Sequence, residues 1–363
     1  MQGGYFVNIA VLGFGTVGKG VVEIVDGSES DCSIKTIFAR EKYRNEIGDR
    51  LETNFDNILQ DESIAIIVEV LGGETFAYDC IKRALNAHKH VVTANKNIIS
   101  KHFIELTSLA KENHVALHYE ASVGGGIPVI QTLIKSSATD QVYAISGVVN
   151  GTANYILTQM TQQGKTLEDA LTEARESGFA EADATADLEG FDAARKLSIL
   201  GTIAFKQPIS YDDIQTRGIN GVTPAIIEKV TSKGYHLKHA AVAKYVGNQM
   251  NLRCEPVLVK ASHPFFHVEN ETNSISFQST YNDTVTLIGL GAGSLPTASA
   301  IVSDIYLITR GQYYDAIVEP TVIDKISNIP TGEYFIVTEE EMVIKPASQV
   351  ELDQSQFYAS VVE

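Results

Sequence analysis

A chain of 363 residues exceeds what one small core organises, so two domains or slightly more are expected. With 44% hydrophobic and 20% charged residues, the composition is that of a globular protein and excludes wholesale disorder. The formal net charge of −17 excludes a broad polyanion-binding surface, which needs a basic stripe, so no nucleic-acid partner is expected; an anionic cofactor needs only local donors and stays open.

Met1-Gln2-Gly3-Gly4-Tyr5 lacks a basic region leading into a long apolar stretch, so no secretory signal is read there. No apolar run approaches the roughly 20 residues of a membrane span, and no membrane partner is expected. Cys32, Cys80 and Cys254 are odd in number, far apart and in no metal-like or redox-like spacing. Reduced thiols in a reducing compartment are the simplest account, which places the chain in the cytoplasm.

Residues 6 to 120 alternate short apolar runs with helix-period segments, the pattern of repeated βα units around a parallel sheet. Strands are expected at 6–12, 34–39, 65–71, 90–94 and 115–120, with a helix over 78–88. Gly13-Phe14-Gly15-Thr16-Val17-Gly18 follows the first strand and opens a helix carrying Val21, Val22 and Val25. In that setting the first glycine makes the tight turn, the second admits a pyrophosphate and the third lets helix meet strand. The helix N-terminus offers free amides to phosphate. The second strand ends in Phe38-Ala39-Arg40, with Glu41 next. An arginine here accommodates a ribose 2′-phosphate and an acidic residue bonds a 2′-hydroxyl, so Arg40 favours NADP while Glu41 keeps NAD open.

Thr93-Ala94-Asn95-Lys96 lies at the carboxyl end of the fourth strand, the edge where open α/β sheets bind ligands, so Lys96 can face the nicotinamide crevice. Glu120-Ala121-Ser122-Val123-Gly124-Gly125-Gly126-Ile127-Pro128 reads as a strand end running into a glycine triplet. It serves as an interdomain hinge, as a small-cation site with Glu120, or as both. Beyond it, 142–149 is a strand, 152–161 a helix, and Thr166 caps a helix that presents Leu167, Ala170, Leu171 and Ala174 on one face and stops at Gly178.

Five carboxylates then fall between Glu181 and Asp192 and lead into a helix expected over 188–205, whose second half carries no charge. A helix apolar on nearly every face is buried, so Asp192 and Lys196, one turn apart, are expected to form a desolvated pair. A buried lysine beside a carboxylate is a candidate proton donor, and the surplus carboxylates suit a substrate carrying an ammonium group. Residues 211–290 read as mixed helix and strand, and 299–309 as helix. From 311 onward Pro320, Pro330, Pro346 and Glu339-Glu340-Glu341 point to a short, loosely packed appendage holding two strands, 334–338 and 342–345.

In order, the segments GFGTVG, TANK, EASVGGGIP, NGTANYIL, GFAEADATADLEGFDAARKL and GLGAGSLPTASAIVSD closely resemble homoserine dehydrogenases over roughly residues 6–310. The resemblance implies NAD(P)-dependent interconversion of L-homoserine and L-aspartate 4-semialdehyde, a step of threonine, methionine and isoleucine biosynthesis. It implies that Lys96 and Lys196 are the acid–base lysines near the reacting oxygen. Glu181, Asp187 and Asp192 would bind the amino and hydroxyl groups of the substrate, with Gly151 and Thr152 near its carboxylate. Glu120 with the carbonyls of Val123, Gly125 and Ile127 matches the family's site for a monovalent cation such as sodium, and a homodimer is expected.

The fold expected is thus a Rossmann-type doubly wound parallel sheet over 1–130, completed by about 290–310. A second α+β domain over 131–289 would handle substrate, catalysis and dimerisation. Residues 311–363 are too few for a full ACT regulatory domain, and no kinase segment precedes the first strand, so a monofunctional enzyme without threonine control is expected. Two rivals stand beside this reading. Aspartate-semialdehyde dehydrogenase needs a thiolate nucleophile, yet Cys80 falls in a helix, Cys254 in a polar loop and Cys32 before the second strand. A catalytically silent dinucleotide sensor would have no use for Lys96, Asp192 and Lys196.

Overall fold

Buried apolar runs in the first third of the chain form a parallel sheet because each is too short for a helix and is followed by a segment of helical period. In the computed structural model, which describes residues 6–29, 31–314, 318, 326, 332–337, 342–347 and 357–362, the chain divides into two units. One comprises 1–135 with 292–320, the other 136–291 with 321–363.

The first unit runs β1 (Val7–Leu12), α1 (Thr16–Asp26), β2 (Cys32–Phe38), α2 (Arg44–Ile47), β3 (Leu51–Glu52), α3 (Phe55–Gln60), β4 (Ile64–Glu69), α4 (Thr75–Asn86), β5 (His90–Thr93), α5 (Lys96–Glu112) and β6 (Leu117–His118). The strands order as β3-β2-β1-β4-β5-β6, all pairs parallel. This is the doubly wound dinucleotide-binding order, and its direction reverses beside β1. Ile9 to Leu12 are fully buried, as expected of a central parallel strand covered on both faces. Cys32 opens β2 rather than preceding it. The fifth expected strand is reduced to β6, because the chain turns at 120–122. The two-residue β3 has too little period to be read from sequence.

Helix α12 (Ser294–Thr309), numbered in chain order, returns to this unit and lies along α1. The crossing is close: a Cβ on Gly20 would stand 2.8 Å from Ser294 Oγ, and that hydroxyl donates to the Thr16 carbonyl at 2.7 Å. The core gathers Ile9, Val11, Val21, Ile37, Val68, Val92 and Ile301.

Helix α6 (Val129–Thr139) precedes the second unit's β7 (Val142–Val148), α7 (Gly151–Gln163), α8 (Leu167–Glu176), α9 (Thr185–Leu188), α10 (Phe191–Phe205), β8 (Gln215–Thr216), α11 (Pro224–Ser232), β9 (Tyr235–Val246), β10 (Gln249–Lys260), β11 (Thr272–Ser279) and β12 (Asp283–Leu290). Three further strands, β13 (Glu333–Val337), β14 (Met342–Pro346) and β15 (Phe357–Val362), complete a sheet ordered β12-β11-β7-β9-β10-β15-β13-β14, with β8 on β10. Thr166 caps α8 by accepting from Asp169 N at 3.2 Å. The helix expected over 188–205 is two, because Gly190 adopts φ +84° between α9 and α10.

Cys254 lies in β10 and not in a polar loop. Its polar neighbours Arg253 and Glu255 are themselves buried and pair at 3.4 Å, a contact that local polarity does not reveal. The two strands expected after 311 pair as β13 and β14, and the unforeseen β15 joins them to β10 in parallel. A lone hairpin is marginal in water; here Tyr334, Phe335 and Ala359 are buried, the latter two in the core formed by α7, α8 and α11. Met1 to Tyr5, Pro320, Pro330 and the acidic run Glu339–Glu341 lie outside the described residues.

Candidate active site

At the carboxyl end of β1 each glycine of the 13–18 loop has a distinct reason. Gly13 holds φ +111°, and a Cβ there would stand 2.5 Å from the Val70 carbonyl oxygen. A Cβ on Gly18 would stand 2.1 Å from the Gly13 oxygen, so helix could not meet strand. Gly15 has nothing within 4 Å, which leaves open the space where a pyrophosphate approaches. Helix α1 begins without a side-chain cap and with no acid in its first turn, so its amides and dipole favour an anion. Phe14 meets Tyr43 edge to face with centroids 5.5 Å apart, and exposed Arg40 follows β2. Glu41 is engaged by Arg44 through two hydrogen bonds, Nη2 to Oε2 at 2.9 Å and Nε to Oε1, which hold its carboxyl below the usual range.

The head of α5 is fixed by a hydrogen-bond network between residues far apart in the sequence. Buried Glu69, at the end of β4, accepts from Thr93 Oγ1 at 2.6 Å and from Leu71 N at 2.8 Å. Burial pushes its carboxyl up. Thr93 Oγ1 accepts from Asn95 N at 3.0 Å. Asn95 caps α5 at Ile98 N and donates to the Gly73 carbonyl at 2.8 Å. Lys96 is therefore the first residue of a capped helix at the ligand-binding edge of the sheet, while the Thr93 hydroxyl faces Glu69.

In the second unit the acidic segment closes around Asn150. This residue caps α7 by accepting from Ala153 N at 2.7 Å. Its amide nitrogen donates to Asp187 Oδ1 at 2.7 Å and to Asp192 Oδ2 at 2.8 Å. Lys196 Nζ lies 2.8 Å from the same Asp192 oxygen and donates to the Val149 carbonyl at 2.7 Å, and Asn273 donates to that carbonyl at 3.0 Å. The Asp192 and Lys196 side chains are 3% and 10% exposed, so the expected desolvated pair exists. The first two amides of α7, those of Gly151 and Thr152, occupy the positions a helix leaves without intrahelical partners. Thr152 Oγ1 donates to the Phe179 carbonyl at 2.6 Å and ties the acidic loop to the start of α7.

Other carboxylates have different duties. Asp183 is held low by hydrogen bonds from the Thr185 side chain and from the Thr185 amide. Glu181 is exposed on the loop, and Arg175 holds the carbonyls of Glu181 and Ala182. Asn150 and Asn273 join this network without being among the candidate residues of the sequence. An asparagine before Gly-Thr at a helix start is a readable cap signal, whereas Asn273 inside β11 carries no such signal.

In the first unit Glu120 is buried in the 120–122 turn and accepts from amides in the first turn of α6, Ile130 N at 2.6 Å and Gln131 N at 3.0 Å. Tyr314 donates to it at 3.2 Å. Burial and the nearby Asp304 push the Glu120 carboxyl up to about 7. Gly124 and Gly125 take φ +77° and +56°, and the Ile127 carbonyl accepts from Val129 N at 2.8 Å. Among the described residues no group of three or more His, Cys, Asp or Glu side chains could hold a metal ion, so any cation at this bend depends on carbonyl oxygens.

A phosphate-ready helix at a doubly wound sheet, with a buried Lys–Asp pair in a separate acid-lined α+β unit, is the frame of an NAD(P)-dependent oxidoreductase for a small molecule. Two family models, the NAD-binding domain of homoserine dehydrogenase and homoserine dehydrogenase itself, match residues 13–120 and 128–306. The chain belongs to the homoserine dehydrogenase family, whose members act on a CH–OH group in amino-acid biosynthesis. It is 34% identical to homoserine dehydrogenase of Bacillus subtilis (strain 168), over 84% of this chain and 73% of that protein. It is 36% identical to that of Corynebacterium glutamicum, over 86% and 74%. A solved homoserine dehydrogenase from Thiobacillus denitrificans superposes with a TM-score of 0.82 at 31% identity, covering 91% of this chain and 82% of that one. A hyperthermophilic archaeal homoserine dehydrogenase in complex with NADPH gives 0.74 at 26% identity, over 86% and 99%.

The thiols favour no rival. Burial pushes the Cys80 thiol up to about 12 and the Cys254 thiol well above its ordinary value. Cys32 opens β2, away from the carboxyl edge where such sheets bind ligands. Among the described residues, no helix is long and apolar enough to cross a membrane.

Proposed function

We propose that this chain interconverts L-homoserine and L-aspartate 4-semialdehyde with Lys196 as the group that gives a proton to, or takes it from, the substrate oxygen. The observation that carries the proposal is the buried Lys196–Asp192 pair, bridged by Asn150 to Asp187. A nicotinamide held at the β1–α1 loop would supply the hydride in one direction and accept it in the other. Lys196, located by Asp192 and the Val149 carbonyl, meets the developing alkoxide, and Lys96 at the head of α5 is the second lysine of the pair. Asp187, Asp192 and Glu181 hold the ammonium and hydroxyl groups, and the Gly151 and Thr152 amides receive the carboxylate at the α7 N-terminus. Initial rates with homoserine for Lys196→Ala and Asp192→Asn test the assignment.

NADP is the preferred cofactor in this reading. With Glu41 engaged by Arg44, the cationic Arg40 is left to meet a 2′-phosphate, and Thr93 and Lys96 border the nicotinamide end. The neighbour bound to NADPH agrees. Relative KM values for NADP and NAD in Arg40→Ala check it.

A monovalent cation such as sodium fits Glu120 with the carbonyls of Val123, Gly125 and Ile127. The donors are hard oxygens carrying one carboxylate, suited to a single positive charge. Sodium should raise the thermal midpoint of the cofactor-free protein above its value in a bulky organic-cation salt, and Glu120→Gln should erase the difference.

A homodimer completes the proposal. Edge strand β12 exposes Ile288 and Leu290 by 57% and 49%, the kind of apolar edge that a second copy covers.

A further inference from the structure

The turn between Asp187 and Asp192 is covered by a strap formed by residues 216–220, and the Arg217 side chain ties the strap to the C-terminal strand β15. Gly218 lies flat on the turn: a Cβ there would stand 1.8 Å from the Leu188 carbonyl oxygen and 2.5 Å from Glu189 Cα. Ile219 N donates to the Leu188 carbonyl at 2.8 Å, and Asn220 donates to the Glu189 carboxylate. Gly190 meets the strap and strand β9 together, since its Cβ would stand 3.1 Å from Thr216 Cγ2 and 2.9 Å from His239 Nε2. That nitrogen donates to the Arg217 carbonyl at 3.1 Å.

The strap is set by Arg217. Its backbone N donates to the Cys254 carbonyl at 2.8 Å, and its Nη2 donates to Glu255 at 3.3 Å. Its guanidinium lies 3.7 Å from the centre of the Tyr358 ring in β15. Tyr334 in β13 donates to the same Glu255 carboxylate at 3.1 Å and accepts from Arg253. Tyr358 thus stacks on the arginine whose backbone carries the strap, and Tyr334 reaches that arginine only through the shared Glu255 carboxylate.

We infer that Arg217 is a positioning residue through which the C-terminal strands hold the 187–192 turn in place. The inference rests on the reading that Asp187 and Asp192 bind substrate. A planar guanidinium on an aromatic face is worth enough for its loss to shift a local opening equilibrium about three- to tenfold. Removing the ring lets the strap lift, and the acidic turn then samples geometries that bind the substrate ammonium poorly. Every residue in this chain of contacts belongs to the second unit.

The test compares Tyr358→Leu with Tyr358→Phe, which keeps the aromatic face, and with Arg217→Lys, which keeps the charge but loses the stacked plane. Amide exchange at residues 187–190 is read together with KM for homoserine, KM for NADP and the thermal midpoint. Tyr358→Leu and Arg217→Lys are expected to speed exchange at the turn and raise KM for homoserine by about three- to tenfold, with KM for NADP unchanged. Tyr358→Phe is expected to match the parent. Unchanged exchange at the turn in a folded Tyr358→Leu or Arg217→Lys protein overturns the inference. So does faster exchange with unaltered KM for homoserine while Asp187→Asn raises that KM. If Asp187→Asn also leaves it unaltered, the substrate reading of these carboxylates fails instead, and the faster exchange still supports the link from tail to turn.

Discussion

Lys196 shows how one side chain acquires a role from its surroundings. On the sequence it is one cation after an acidic stretch; in the fold it is a buried ammonium held by a carboxylate and a carbonyl. Lys196→Ala should leave NADP affinity intact and cut turnover by about 10² or more, because the alkoxide loses its proton partner. Lys196→Arg should rescue nothing, since guanidinium barely releases a proton at working pH; steady-state kinetics with cofactor titration reads both. His239 supplies a pH prediction. Complete burial holds it neutral and pushes its pKa from 6.5 down to about 4. A folded-state pKa depressed below the unfolded value gives stability that is present above pH 6.5 and is lost as pH falls through 4. His239→Gln, which can donate to Arg217 without titrating, should remove roughly 3 kcal/mol of acid lability across that window. Thermal midpoints at pH 7 and pH 4.5 measure it, and an unchanged difference between them would count against the account.

At the scale of elements, the loop joining β1 to α1 separates folding from binding residue by residue. Gly13→Ala and Gly18→Ala drive a Cβ into backbone, so both should lower the thermal midpoint and lose cofactor together. Gly15→Ala meets nothing within 4 Å, and its backbone at φ −86° suits alanine. That variant should keep its midpoint while NADP affinity falls tenfold or more, about 1.4 kcal/mol. Calorimetry beside fluorescence titration distinguishes the two classes. On the ribose side, Arg44→Ala releases Glu41 and should shift preference toward NAD, the same direction as Arg40→Ala, which removes the partner of the 2′-phosphate instead. The pair of variants is informative because they change the same two residues' balance from opposite ends.

For the whole molecule, the second unit's sheet ends on β12, whose outward residues alternate toward solvent instead of closing over a core. Ile288→Lys with Leu290→Lys should shift the species seen by light scattering from dimer to monomer, with a lower thermal midpoint at low protein concentration. At the opposite end the tail strands are layered into the same sheet and bury Tyr334 and Phe335.

The nucleotide-binding half of this protein is legible from sequence because its signals are local. A strand, a glycine loop and a helix follow one another within a few residues, and each glycine is required by its immediate neighbours. The buried Lys196–Asp192 pair is legible for the same reason: four positions along a helix put both on one face, and the apolar continuation says which face is inside. What the tertiary structure alone decided are contacts between residues far apart in sequence. Asn150 reaches Asp187 and Asp192, and Asn273 shares the Val149 carbonyl with Lys196. Glu69 fixes Thr93, and Cys254 is buried in a strand whose charged neighbours neutralise each other. Placing β15 beside β10 also required the fold, since periodicity identifies a strand but not its partner. Pairing is settled by which buried polar and apolar groups satisfy one another across the sheet, and that information is distributed over the whole chain.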